Sequence, residues 1–290
     1  MSKKFFAIIT LLLSTIAVNA ASQQWMRFHC EKDTAVINQL LKSGYDSKIT
    51  DPGKLMAFYG NKLLGTPYVA HTLECDEGEE LLTINIEELD CTTFVETLYA
   101  LTRTTLNGRY SWRDFANNLE SIRYRNGQID GYAGRLHYIS DWIIDNAHRG
   151  LVTEITSSIP GTRYETKTLD FMTSHRDLYP ALADSATFAQ LKSFEIAYRS
   201  HRFPYINKNS AGSKKVTEKL KNGDIIALVT KTDGLDVSHM AIIVADEKGV
   251  FHMLHASSAK KEVILENDDL KETLRRNRSC SGIRVIRIKE

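Results

Sequence analysis

A cysteine becomes a useful nucleophile when its surroundings favour the thiolate and a base stands within hydrogen-bond reach. Two stretches of this sequence meet those needs by residue type and spacing. In Leu89-Asp90-Cys91-Thr92-Thr93-Phe94 an aspartate suited to capping precedes Cys91, and Phe94, Val95, Leu98 and Leu101 follow at helical spacing. Cys91 is therefore expected to open a helix. There the unpaired first-turn amides lower a thiol pKa from its usual value of about 8.5 and are available to an oxyanion. In Val237-Ser238-His239-Met240-Ala241 an imidazole sits on an expected strand, sharing a face with Val237, Ala241 and Ile243, and is the candidate base. The next strand offers His252 and His255 to orient it; these point to opposite faces, so at most one can serve. A turn through Asp246-Glu247-Lys248, with Ala245 paired to Gly249, sets His255 opposite His239, whereas a two-residue loop does not; the sequence leaves the register open.

The elements that must hold these residues follow from caps and periodicity. Asp51-Pro52 opens a helix carrying Leu55, Met56, Phe58, Leu63 and Leu64, and Leu64-Gly65-Thr66-Pro67-Tyr68 turns out of it into an acidic loop, Glu74 to Glu80. Ser111 with Asp114 caps a further helix, and residues 140–148 and 186–199 read as two more. Segments 224–230, 237–245, 250–257 and 282–288 are rich in β-branched and apolar residues and bounded by turn signals, so they read as antiparallel strands. Helices first and strands afterwards predict an α+β fold.

Lys3 and Lys4 precede an apolar run from Phe5 to Val18 that ends in Val18-Asn19-Ala20, the pattern of a cleavable signal over residues 1–20. The run is too short to span a bilayer, so a free, exported protein, periplasmic or secreted and monomeric, is expected. About 270 residues remain after cleavage, enough for one large domain or two small ones. The 37 basic residues nearly balance 36 acidic ones with no run of five like charges, which argues against nucleic acid as a partner. Cys30, Cys75, Cys91 and Cys280 have no zinc-ribbon spacing and are too few for a disulfide scaffold. No metal or other cofactor is expected. His252 and His255 cannot ligate one ion from the same face of a strand, and no His-Glu-x-x-His helix appears.

Leu64-Gly65-Thr66-Pro67-Tyr68, Leu89-Asp90-Cys91-Thr92-Thr93-Phe94-Val95 and Ser238-His239-Met240-Ala241-Ile242 together resemble the NlpC/P60 superfamily of papain-like cell-wall hydrolases, in order and in spacing. With Arg135-Leu136-His137-Tyr138, Ser140-Asp141-Trp142, Gly234-Leu235-Asp236 and Leu254-His255-Ala256-Ser257-Ser258, the similarity is closest to the DUF1460 branch, whose members look like N-acetylmuramoyl-L-alanine amidases. The resemblance implies a papain-like core over residues 65–290, a nucleophile helix on a C-terminal antiparallel sheet. An N-terminal helical segment, residues 21–64, precedes it, and a helical specificity insertion occupies about residues 110–210. It implies Cys91 as nucleophile, His239 as base, His255 as orienting residue, and Tyr68 and Asp90 facing a peptidoglycan or muropeptide substrate. In the insertion, Arg135, His137, Asp141 and Trp142 combine a cation, a proton donor, an acid and a flat apolar face suited to a sugar-peptide carboxylate. The competing expectations are a γ-D-glutamyl-diamino acid endopeptidase of the same fold, a zinc amidase, and a non-catalytic wall-binding module.

Overall fold

The computed structural model describes residues 25–74 and 80–289; the expected signal peptide, Cys75 and residues 76–79 of the acidic loop lie outside them. Strand β1 (Met26–Phe28) leads to helices α1 (Asp33–Asp46) and α2 (Pro52–Lys62). Strand β2 (Leu82–Ile84) precedes α3 (Cys91–Leu106), α4 (Trp112–Arg123), the single turn α5 (Gly131–Gly134) and α6 (Ile139–His148). Next come β3 (Val152–Glu154), β4 (Thr162–Lys167), the turn α7 (Phe171–Ser174), α8 (Ser185–Ala197), β5 (His201–Asn207) and the turn α9 (Lys214–Thr217). The chain closes with β6 (Ile225–Thr230), β7 (Val237–Ala245), β8 (Phe251–Ser257), β9 (Glu262–Asp269), α10 (Leu270–Arg276) and β10 (Cys280–Ile288). Among the described residues no helix is long and apolar enough to cross a membrane.

The fold is α+β. One eight-stranded antiparallel sheet runs β4-β5-β10-β6-β7-β8-β9, with β3 also paired to β10. Helix α3 packs on one face: Phe94, Val95, Leu98 and Leu101, each 0% exposed, join Met240, Ile242, Leu254 and Ala256 of the sheet. Burying each of these side chains larger than alanine contributes about 1.5–3 kcal/mol. Helices α1 and α2 enter the same core through Ile37, Leu41, Leu55 and Met56. Ala241, Ile243, Met253 and Val285 form a second core on the opposite face.

Residues 110–210, expected as a helical insertion, also supply strands β3, β4 and β5, which extend the sheet beyond β10. These strands carry mostly polar residues, such as Thr-Arg-Tyr-Glu-Thr-Lys in β4, so they lack the apolar runs that marked the central strands. Strand β9 is similar. Its acidic residues suit the sheet edge it occupies, where charge discourages further pairing, and they hide it from a hydrophobic pattern.

Candidate active site

Cys91 is the first residue of α3, and Asp90 caps it. The Asp90 Oδ1 accepts hydrogen bonds from the amides of Thr92 (2.9 Å) and Thr93 (2.8 Å), while Thr93 Oγ1 accepts one from the Asp90 amide at 2.8 Å. The Phe94 amide donates to the Asp90 carbonyl at 2.9 Å. The first turn was expected to offer several amides to an oxyanion. Asp90 takes those of Thr92, Thr93 and Phe94, and the amide of Cys91 lies against its own sulfur.

The sheet opens where the helix meets it. The β7–β8 ladder runs from Ala245↔Phe251 to Ile242↔Leu254, so the turn comprises five residues, Asp246 to Val250, not three. His239 is thus two positions out of register with His255 instead of directly opposite. A shift of two keeps both side chains on one face, since the period of a strand is two. Past Ile242 the strands part: residues of β7 stay with β6 while His255, Ala256 and Ser257 pair with β9. The gap is bridged by side chains, His239 Nε2 lying 2.7 Å from His255 Nδ1 with the rings edge to face. His255 Nε2 lies 3.1 Å from Glu266 Oε1 on β9. Because β8 no longer claims it, the Met240 amide faces the Cys91 sulfur and favours its anion, and the Thr92 Oγ1 lies 4.0 Å from the same sulfur.

A bulge at Ser238 modifies the expected face. His239 pairs with Leu228 and Val237 with Val229, leaving Ser238 unpaired. Such a bulge re-aims neighbouring side chains. Val237 consequently joins the α3-side core, whereas Ala241 and Ile243 belong to the opposite one, so the expected common face does not extend to Val237.

Burial governs the titration of the pair. It pushes the Cys91 thiol up to about 11, with the Asp90 charge adding to it, and the Met240 amide only partly opposes this. Burial, then the neighbouring His255, brings His239 down to about 3. The resting state is therefore a neutral thiol and a neutral imidazole. The expectation that the helix start lowers the thiol pKa is overturned because burial, and then the charge of the Asp90 cap, outweigh the hydrogen bonds that favour the anion. His255 is also lowered by burial, with Glu266 pulling the other way.

Tyr68 reaches this centre. Its amide donates to the Lys261 carbonyl at 2.8 Å, and flanking Pro67 and Val69 bond Leu89, immediately before Asp90. Gly65, at φ +82°, makes the turn that permits this path. Burial, with Cys91 and Asp90 close by, raises the Tyr68 phenol, so it remains a donor.

The insertion residues divide. A cavity of about 180 Å³ beside the start of α3 is lined by Thr92, Glu96, Arg123, Arg135, His137 and Tyr179, among others. Arg135 is not waiting for a ligand: its guanidinium lies 3.2 Å from Glu74 and 3.3 Å from Glu80. His137, expected as a proton donor, is held neutral by burial and by the Arg135 charge, with its pKa down to about 3. Its Nε2–H donates to the Tyr132 carbonyl at 2.8 Å, which leaves Nδ1 as an acceptor. Asp141 and Trp142 are not brought to the site. Asp141 is buried and paired with Arg125 and the Tyr198 hydroxyl, and Trp142 is 0% exposed in the main core. Trp142 lies on the buried stripe of α6 with Ile139, Ile143 and Asn146, and Asp141 is buried by its ion pair with Arg125.

A family model described as AmiA-like, N-acetylmuramoyl-L-alanine amidase-like, matches residues 59–283. The chain belongs to this family. Among solved structures it is similar to an N-acetylmuramoyl-L-alanine amidase from Bacteroides uniformis ATCC 8492, at 40% identity and a TM-score of 0.76, over 82% of this chain and 99% of that one. A Bacteroides fragilis protein provisionally named a xylanase matches at 41% identity and a TM-score of 0.72, over 79% of this chain and 99% of that one. Protein LPG0564 from Legionella pneumophila, of DUF1460, shares the fold at 20% identity and a TM-score of 0.67, over 88% of this chain and 95% of that one. No curated protein matches.

Within this AmiA-like chain, sequence reasoning missed the Arg123–Glu96 ion pair (2.7 Å) in the cavity wall and the Glu266 carboxylate behind His255. Glu96 sits five residues after Cys91 in an apolar helix, and a carboxylate there signals a buried partner. His252, the alternative orienting residue, instead lies 3.1 and 3.0 Å from the carbonyls of Glu266 and Asp268.

Proposed function

We propose that this protein is a cysteine-dependent amidase with a papain-like NlpC/P60 core, cutting the amide between the lactyl group of N-acetylmuramic acid and L-alanine in peptidoglycan. The observation that carries the reading is the His239–His255 hydrogen bond of 2.7 Å on the strand whose Met240 amide faces the free Cys91 thiol at the start of α3. His239 takes the Cys91 proton as sulfur attacks the lactyl carbonyl carbon. The carbonyl oxygen becomes an oxyanion, and the Cys91 amide and Tyr68 hydroxyl donate to it. His239 then passes its proton to the departing alanine nitrogen, breaking the C–N bond and leaving a thioester. Water, deprotonated by His239, attacks the thioester and releases the lactyl carboxylate and the thiol. His255 orients His239 throughout.

Asp90 acts here through the helix cap, and the Arg135–His137 cavity, too small for a disaccharide, receives one part of the peptide stem. The name of the Bacteroides fragilis relative suggests glycoside hydrolysis instead. That chemistry needs two carboxylates flanking the bond. Of those near Cys91, Asp90 is engaged by the cap and Glu96 by Arg123, which favours the amidase. The protein acts as a monomer in the periplasm or outside the cell, as the signal-like residues 1–20 suggest.

The test is mass-resolved digestion of defined muropeptides. Release of the intact stem peptide, abolished in Cys91→Ala, is the expected result. An Ala-Glu stub left on the sugar would establish the endopeptidase instead. Sacculus binding without hydrolysis by the parent protein would establish a binding module, and loss of activity to a chelator but not to a thiol alkylator would establish metal-dependent cleavage.

A further inference from the structure

We infer that Glu266 is a positioning residue that sets which nitrogen of His239 is free to act as the base. The inference rests on the cysteine mechanism proposed above and extends it by one residue. A carboxylate oxygen only accepts hydrogen bonds, so the 3.1 Å contact with Glu266 requires the proton of His255 to sit on Nε2. A neutral imidazole carries one N–H, so His255 Nδ1 is bare. At 2.7 Å from His239 Nε2 it can only accept, which places the His239 proton on Nε2. His239 Nδ1 is then the one ring nitrogen left, unprotonated, for the Cys91 proton. Each assignment forces the next, and the carboxylate at the far end starts the sequence.

The alternative arrangement is as well hydrogen-bonded within the pair. With its proton on Nδ1, His255 would donate to His239 Nε2, and the His239 proton would occupy Nδ1, where a base must be empty. Nothing in the two rings themselves chooses between these states; Glu266 does. Its place is built into the sheet. Strand β9 bulges where His252 pairs with Asp269 and Leu254 with Leu265, and His252 holds the bulge by bonding the Glu266 and Asp268 carbonyls. The side chain of Glu266 then reaches His255 from the neighbouring strand. When His239 becomes an imidazolium, the same carboxylate stabilises its charge through His255.

The experiment uses the full chain with nitrogen-15 histidine and reads tautomers from long-range nitrogen–proton correlations, alongside muropeptide turnover and the rate of Cys91 alkylation. The parent should show Nε2–H on both His239 and His255. Glu266→Gln, whose amide oxygen can still accept, should keep both tautomers and most of the activity. Glu266→Lys, which can only donate, should move both protons to Nδ1 and lower kcat a hundredfold or more with little change in KM. Glu266→Leu, which preserves the fold if lysine does not, should give a mixture of tautomers and an intermediate kcat. Retention of Nε2–H on His239 in both the lysine and leucine variants would overturn the assignment. The tautomers and the alkylation rate do not depend on any substrate, so a wrong choice of scissile bond and a wrong role for Glu266 give different results.

Discussion

The protonation state of the resting site makes a demanding prediction. With the Cys91 thiol at about 11 and His239 at about 3, the free protein holds thiol and imidazole, not thiolate and imidazolium. At pH 7 the thiolate fraction of such a thiol is on the order of one in ten thousand, and at pH 9 one in a hundred. Alkylation of Cys91 by iodoacetamide should therefore rise about a hundredfold across that interval and continue upward toward pH 11. A preformed ion pair would give a rate already on its plateau near neutrality. Site-resolved mass spectrometry separates Cys91 from the other cysteines, and Cys91→Ala supplies the background. Asp90→Asn provides a second arm. Asparagine caps a helix as well as aspartate does, so stability should hold, while removal of the charge that raises the thiol should speed alkylation at every pH below the plateau. A rate unchanged between pH 6 and 9 in the parent, or slowed in Asp90→Asn, would refute the reasoning.

Tyr68→Phe should lower kcat about a hundredfold, the usual effect of losing one oxyanion donor, and leave the thermal midpoint almost unmoved; an unchanged kcat would remove the hydroxyl from the mechanism. Glu96→Gln strips the charge from a pair whose two side chains are 2% and 3% exposed, and should cost about 3 kcal/mol in denaturant unfolding. Replacing Glu96 and Arg123 together by methionine should recover part of that loss, because no unpaired charge then remains buried.

Signals that depend on neighbours in the chain were legible without coordinates. Asp90 before an apolar helical stripe marked the start of α3, and the β-branched runs marked β6, β7, β8 and β10, because caps and periodicity act over a few residues. What depends on distant partners was not legible. The five-residue turn after Ala245 shifted the register, yet a shift of two kept His239 and His255 on one face, so the dyad survived a wrong register. Asp141 and Trp142 looked like ligand contacts and proved to be interior, since burial is decided by what packs against α6 and not by residue type. Glu266 lay in a polar segment with no pattern to recommend it. Its significance comes from a hydrogen bond across two strands, which exists only once the sheet has assembled.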